Sequence, residues 1–131
     1  MVVAYDGAGY SGWQIQPSHK TVQGELERVL HELTGEKERI HCSGRTDAGV
    51  HAREQVTHFD LGKPVVLKKL QIGFNALLEK DVRVLSIRKA MPDFHARFDA
   101  QGKEYRYFVW NDDILPPFLR HYRAHVRAPL N

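Results

Sequence analysis

The sequence predicts an α+β domain of the ferredoxin-like kind, an antiparallel sheet with its helices packed on one face. Three observations carry that expectation. Two segments, 21–33 and 67–78, place apolar residues at the three- and four-residue spacing of a helix buried along one stripe. Four others are short, apolar or alternating, and bounded by turn residues. Read in order they run β-α-β-β-α-β, the split-βαβ pattern. A chain of 131 residues, 42% hydrophobic and 27% charged, has the size and composition of one domain with a single core.

Val2 to Tyr5 reads as the first strand, closed by the turn signal Asp6-Gly7. Thr21 is a candidate N-cap for a helix that carries Val22, Leu26, Val29, Leu30 and Leu33 on one stripe and stops at Gly35. Arg39 to Ser43 and Gln55 to Leu61 read as the second and third strands, with Thr57, Phe59 and Leu61 alternating to one side. The second helix is expected from Leu67 to Leu78, with Leu67, Leu70, Phe74, Leu77 and Leu78 sharing a face. Val82 to Lys89 is the fourth strand. Lys103 to Trp110 adds another, with Tyr105, Tyr107 and Val109 on one side and Glu104, Arg106, Phe108 and Trp110 on the other; Tyr122 to Val126 is a candidate last strand. Helices gathered on one face leave the opposite face open to a ligand.

Several function classes drop out. No apolar run approaches the roughly 20 residues that span a bilayer. The opening residues, Met1 to Asp6, lack the pattern of a signal peptide. Cys42, the single cysteine, cannot form an internal disulfide and fits a reducing compartment, so the cytoplasm is the expected location. A net charge of +3 with eight histidines is compatible with RNA without demonstrating it. Basic residues gather at Arg120, His121, Arg123, His125 and Arg127, and again at Arg97, Lys103 and Arg106 among aromatics. On charge alone, solvated surface arginines are the plainer reading.

The segment richest in chemistry is Gly44-Arg45-Thr46-Asp47-Ala48-Gly49-Val50-His51-Ala52, on a loop between the second and third strands. Two glycines bracket Arg45 and Asp47. An arginine near a carboxylate favours its ionised form, which keeps Asp47 available as nucleophile or base. Arginine also suits RNA phosphates and stacks on bases. Asp and Gly are equally ordinary turn residues, and a turn alone remains the competing reading. The loop lacks the Gly-Lys-Ser/Thr ending of a phosphate-binding loop.

Tyr105 and Tyr107, flanked by Lys103 and Arg106, form a second constellation. Either both stack on a splayed-out base, or both pack in a core, or Tyr105 sits at a pocket rim. His41, Cys42, His51 and His58 lack paired zinc-ligand spacing, so no metal is expected. Cys42 lies within a strand and should be buried rather than nucleophilic. There is no Gly-x-Ser-x-Gly elbow.

Three segments, in the same order, resemble the TruA family of tRNA pseudouridine synthases. They are Tyr5-Asp6-Gly7-Ala8-Gly9-Tyr10-Ser11-Gly12-Trp13-Gln14, the Gly44–Ala52 loop, and Phe94-His95-Ala96-Arg97-Phe98 followed by Lys103-Glu104-Tyr105-Arg106-Tyr107. The loop is the most specific of the three. The resemblance implies an isomerase that turns uridine into pseudouridine in the anticodon stem-loop of tRNA, with no cofactor. It makes Asp47 the catalytic aspartate and Arg45 the arginine that fills the space of the flipped nucleotide and engages the aspartate. Tyr105 matches the tyrosine that stacks on the target uracil. Arg97, His95, Arg106 and Lys103 are the implied RNA contacts.

Uracil's N1–C1′ bond must break, the ring must turn, and C5 must bond to C1′. A carboxylate can attack C1′ or remove the C2′ proton to give a glycal; sequence leaves both routes open. Members of the family are roughly twice as long as this chain, typically homodimers that bind tRNA across both subunits. Residues 1–131 are therefore expected to be a single domain, the N-terminal catalytic-aspartate half, with the C-terminal half absent and little turnover alone. The alternatives are a catalytically silent RNA-binding module of the same fold and, further off, an interaction domain with no RNA role.

Overall fold

The computed structural model describes all residues, Met1–Asn131, and divides them into two compact units, Met1–Ala100 and Gln101–Asn131. The first unit is α+β. Its elements are β1 (Val2–Tyr5), a 3-10 turn (Gly7–Gly9), α1 (Val22–Thr34), β2 (His41–Cys42), β3 (Ala52–His58), α2 (Leu67–Leu77) and β4 (Val82–Ser86). The strands form one antiparallel sheet in the order β2-β3-β1-β4. No helix is long and apolar enough to cross a membrane.

Both helices form where the apolar stripes require. The Thr21 hydroxyl accepts the Gly24 N–H at 3.3 Å, satisfying one of the unpaired donors at the start of α1. Gly35, left-handed at φ 77°, ends that helix and donates its N–H to the His31 carbonyl. Val22, Leu26, Val29 and Leu30 of α1 and Leu70 and Phe74 of α2 are buried with Val3, Tyr5, Val82 and Val84 of the sheet, and Trp13 and Ile40 join the same core. Fully burying an aliphatic side chain of this size is worth about 1.5–3 kcal/mol, so the stripe rather than local propensity holds each helix.

The strands are shorter than their apolar patterns predicted, because a strand ends where its partner does. β4 stops at Ser86 rather than Lys89, opposite Val2. β3 spans Ala52–His58 instead of 55–61, its register set by the pairs Tyr5↔Ala52 and Val2↔Val56. Its inward residues are Gln55 and Thr57, and Phe59 and Leu61 pack partly buried against the core beyond the strand. β2 keeps only His41 and Cys42 of the expected 39–43. Arg39 turns out to an ion pair with Glu27 at 3.7 Å, while Glu27 also accepts the Ile40 N–H. In α2, Leu77 is 38% exposed and Leu78, just past the helix, takes the buried place.

The second unit corrects the largest expectation. Of the strand read over Lys103–Trp110, only β5 (Val109–Trp110) forms, paired in parallel with β6 (Ala124–His125). Tyr105 is 63% and Tyr107 89% exposed, so neither packs within the unit. Alternation makes a strand only when one face has something to cover, and no residue from 101 to 131 is buried. The short ladder is made by two backbone bonds, from the Ala124 N–H to the Phe108 carbonyl at 2.8 Å and from the Val126 N–H to the Trp110 carbonyl at 3.0 Å, and side chains brace it. Asn111 Nδ2 donates to the Val126 and Ala128 carbonyls at 2.7 Å, and the Arg123 guanidinium lies 4.7 Å from the Phe108 ring.

Candidate active site

The Gly44–Val50 loop crosses from β2 to β3 and is built on a buried polar base. Gln55, on the inner face of β3, accepts the Ser43 hydroxyl at 2.7 Å through Oε1 and donates Nε2 to the Gly44 carbonyl at 2.5 Å. Its amide nitrogen also approaches the Tyr5 hydroxyl at 3.4 Å. That hydroxyl lies 2.7 Å from Thr46 Oγ1, inside the loop. Burial pushes the Tyr5 phenol above its ordinary range, outweighing the bonds from Thr46 and Gln55, so it remains a neutral hydrogen-bonding group. The chain thus places two buried polar side chains directly under Arg45 and Asp47.

The segment after β1 clasps the loop from the other side. Trp13 donates its N–H to the Thr46 carbonyl at 2.9 Å, Gly49 donates to the Tyr10 carbonyl at 3.2 Å, and Val50 closes the turn onto the Asp47 carbonyl at 3.1 Å. Such approach requires glycine. At Gly12, with φ +84°, a Cβ would stand 2.6 Å from the Thr46 carbonyl oxygen; at Gly7 it would stand 1.9 Å from that of Val50. Tyr10 in turn donates its hydroxyl to Asp81 at 2.8 Å, and Lys20 pairs with Glu79 at 2.7 Å while lying 4.7 Å from the Tyr10 ring. The clasp is therefore tied to the turn between α2 and β4.

Between clasp and loop lies an open cleft of about 400 Å³. It is lined by Arg45, Thr46, Asp47 and Ala48 of the loop and by Ser11, Gln14, Gln16 and His19 of the segment after β1. Asp47 and Arg45 are both exposed there. The ion pairs of the chain involve Lys20, Arg28, Arg39, His51 and Arg106, so Arg45 and Asp47 share the cleft without bonding each other. A carboxylate left to solvent and a guanidinium beside it can receive a ligand between them.

Two other predicted residues of the first unit lie elsewhere. His95 and Arg97 occupy the turn after β4, away from the cleft walls. The His95 ring packs 4.5 Å from His58, 5.7 Å from His41 and 4.2 Å from Phe98. His58 Nδ1 accepts the Ala96 N–H at 3.1 Å. Burial, then His95 and His41, hold the His58 imidazole below its usual range, which keeps that acceptor unprotonated. Lys103, Tyr105 and Arg106 belong to the second unit, where all three are exposed and the Arg106 guanidinium pairs with Glu104. Cys42 is buried in β2, as its position implied.

Sequence reading missed Gln55 and the cleft residues of the segment after β1. Gln55 breaks the apolar alternation that would have marked β3's inner face. Gly12-Trp13-Gln14 stood out only as part of a family-like segment, with nothing to pair it with Asp47.

Known proteins resemble the chain over the segments that build this cleft. A family model described as tRNA pseudouridine synthase matches residues 1–99, which include the clasp, the loop and its buried base. Proteins named tRNA pseudouridine synthase A are similar throughout. That of Brevibacillus brevis is 45% identical over 130 residues, covering 99% of this chain and 53% of its own length. That of Geobacillus kaustophilus is 49% identical over 124 residues, covering 94% and 48%. That of Moorella thermoacetica is 42% identical over 133 residues, covering 100% and 54%. The chain spans about half the length of these relatives. With three quarters of its residues inside the matched region, this chain belongs to the tRNA pseudouridine synthase family.

Proposed function

We propose that this chain supplies the aspartate-bearing N-terminal domain of an enzyme that isomerises uridine to pseudouridine in the anticodon stem-loop of tRNA. One observation carries the reading: Asp47 stands beside Arg45 on the wall of a cleft whose backbone is held from two sides. A preorganised carboxylate is what either route to glycosidic cleavage needs. Asp47 attacks C1′ as N1–C1′ breaks and leaves again as C5 bonds to C1′, or it takes the C2′ proton as N1–C1′ breaks and returns it as C5 bonds to C1′; in both routes the C5 proton is lost and N1 gains one. No electrons are exchanged and no external group is transferred, so the chemistry calls for no cofactor.

The target base must leave its stack, at a cost of a few kcal/mol. Arg45 takes up the vacated space and Tyr105 stacks on the extruded uracil. Arg97, His95, Arg106 and Lys103 contact the RNA. The fold that presents Arg45 and Asp47 is ferredoxin-like, a reading supported by the sheet order β2-β3-β1-β4 with every neighbouring pair antiparallel. The full-length enzyme acts as a cytoplasmic homodimer.

The test is release of tritium from tRNA labelled at uridine C5, run on the full-length enzyme. Asp47→Asn abolishes release while tRNA binding stays within about twofold, as expected for a group used after binding. Release that survives the substitution, or binding lost in step with it, overturns the assignment.

A further inference from the structure

The cleft residues contributed by the segment after β1 carry no formal charge. Ser11, Gln14 and Gln16 offer a hydroxyl and two carboxamides, and His19 closes the row. Groups of this kind pair with the edges of a base rather than with phosphate, for which Lys and Arg are the usual partners. Gln14 is the best placed of them, because its backbone is fixed on both sides. Trp13 donates its N–H to Thr46 in the Asp47 loop, and its carbonyl accepts the Gln23 N–H at 3.0 Å. Ile15 donates its N–H to the Gln23 side chain at 3.0 Å, and that buried carboxamide reaches on to the Ile40 carbonyl at 3.0 Å. Gln14 is thus carried between the start of α1 and the loop that holds Asp47. Gln16 is oriented by its own bond, Nε2 to the Ser11 carbonyl at 2.9 Å.

We propose that Gln14 is a specificity residue that reads the imide edge of the target uracil, an inference that rests on the uridine-isomerising reading of this cleft. That edge presents O2, N3–H and O4, an acceptor, a donor and an acceptor. A carboxamide supplies one donor and one acceptor, so it accepts from N3–H and donates to the oxygen beside it. The symmetry of the edge matters for the reaction. Turning the freed ring about its N3···C6 axis exchanges N1 with C5 and O2 with O4, while N3–H stays in place. Gln14 therefore meets the same pattern before and after the turn, and holds the ring while C5 replaces N1 opposite C1′. Cytosine, with N3 an acceptor and an amine at C4, lacks this symmetry.

A double-substitution cycle tests it, using an anticodon stem-loop RNA with uridine or 3-methyluridine at the target position and the chain with and without Gln14→Ala. The methyl group removes the N3–H donor. Binding by the unsubstituted chain falls roughly tenfold on methylation, the scale of a lost bidentate contact, while binding by Gln14→Ala falls less than about twofold. An equal fall in both proteins, or none in the unsubstituted chain, overturns the proposal. Gln16→Ala, with an unchanged melting temperature, checks that a neighbouring truncation does not mimic the effect. Tritium release by the full-length enzyme separates the two ideas. Release with an additive cycle removes only the role of Gln14, and a coupled cycle without Asp47-dependent release removes only the catalytic reading.

Discussion

The sharpest consequence of the buried base under the loop concerns Gln55→Leu. Leucine fills much of the same volume but removes both the acceptor of the Ser43 hydroxyl and the donor to the Gly44 carbonyl. Each bond is worth about 0.5–1.5 kcal/mol, and a partner stranded away from water costs about 1–3 kcal/mol. Ser43 and Gly44 are only half-buried, so water recovers part of that cost. The expected destabilisation is about 2–4 kcal/mol. With a urea m-value of about 1–3 kcal/mol/M for a small protein, the unfolding midpoint falls by about 1–2 M. Amide exchange should locate the damage, with Gly44 to Thr46 speeding up more than the α1 core amides, since the Tyr5–Thr46 bond loses its neighbour. A midpoint within about 0.3 M of the original, measured under the same conditions, with loop exchange unchanged, would refute the claim that Gln55 holds up the Asp47 loop.

Three other perturbations follow from the same geometry. Gly12→Ala introduces a left-handed residue and a Cβ 2.6 Å from the Thr46 carbonyl oxygen, and should cost about 2–4 kcal/mol in chemical denaturation while loosening the turn at Asp47. Thr21→Ala removes the N-cap bond of α1 and should cost about 1 kcal/mol, read from thermal unfolding. His58 is neutral in the fold at a pH where the unfolded imidazole, near its ordinary value of 6.5, already binds a proton. The unfolded state therefore takes up more protons, and stability falls as pH drops below that value. His58→Asn keeps an acceptor for the Ala96 N–H and should blunt this acid sensitivity, although Asp60 partly opposes it in the parent chain.

What could be read from the residues divides along a physical line. α1 was legible to its cap and its stop, because Thr21, the apolar stripe and Gly35 act within one stretch of chain. Strand ends were not, since pairing decides them: Phe59 and Leu61 look as strand-like as Val56, but only Val56 has Val2 opposite. The same limit explains Lys103–Trp110. Its alternation of aromatic and charged residues is real, yet within its own unit nothing covers either face, and two residues of ladder are all that form.

The candidate site shows that limit from the other direction. Arg45 and Asp47 were visible because glycines bracket them, and glycine marks a backbone that must bend or be approached closely. Their supports were invisible because each one violates a local pattern for a distant reason. Gln55 is a polar residue where a strand should turn a hydrocarbon inward, and it is tolerated because Gly44 and Ser43 lie within reach of its amide. Gly12 costs conformational order in a loop, and it is tolerated because the Asp47 loop passes where its side chain would be. A residue that breaks a local rule and has every polar atom met by a neighbour is held there by the fold. Here both such residues touch the segment that carries Asp47. That concentration is why the loop is better explained as a rigid mount for Asp47 than as a turn whose sequence happens to contain an aspartate.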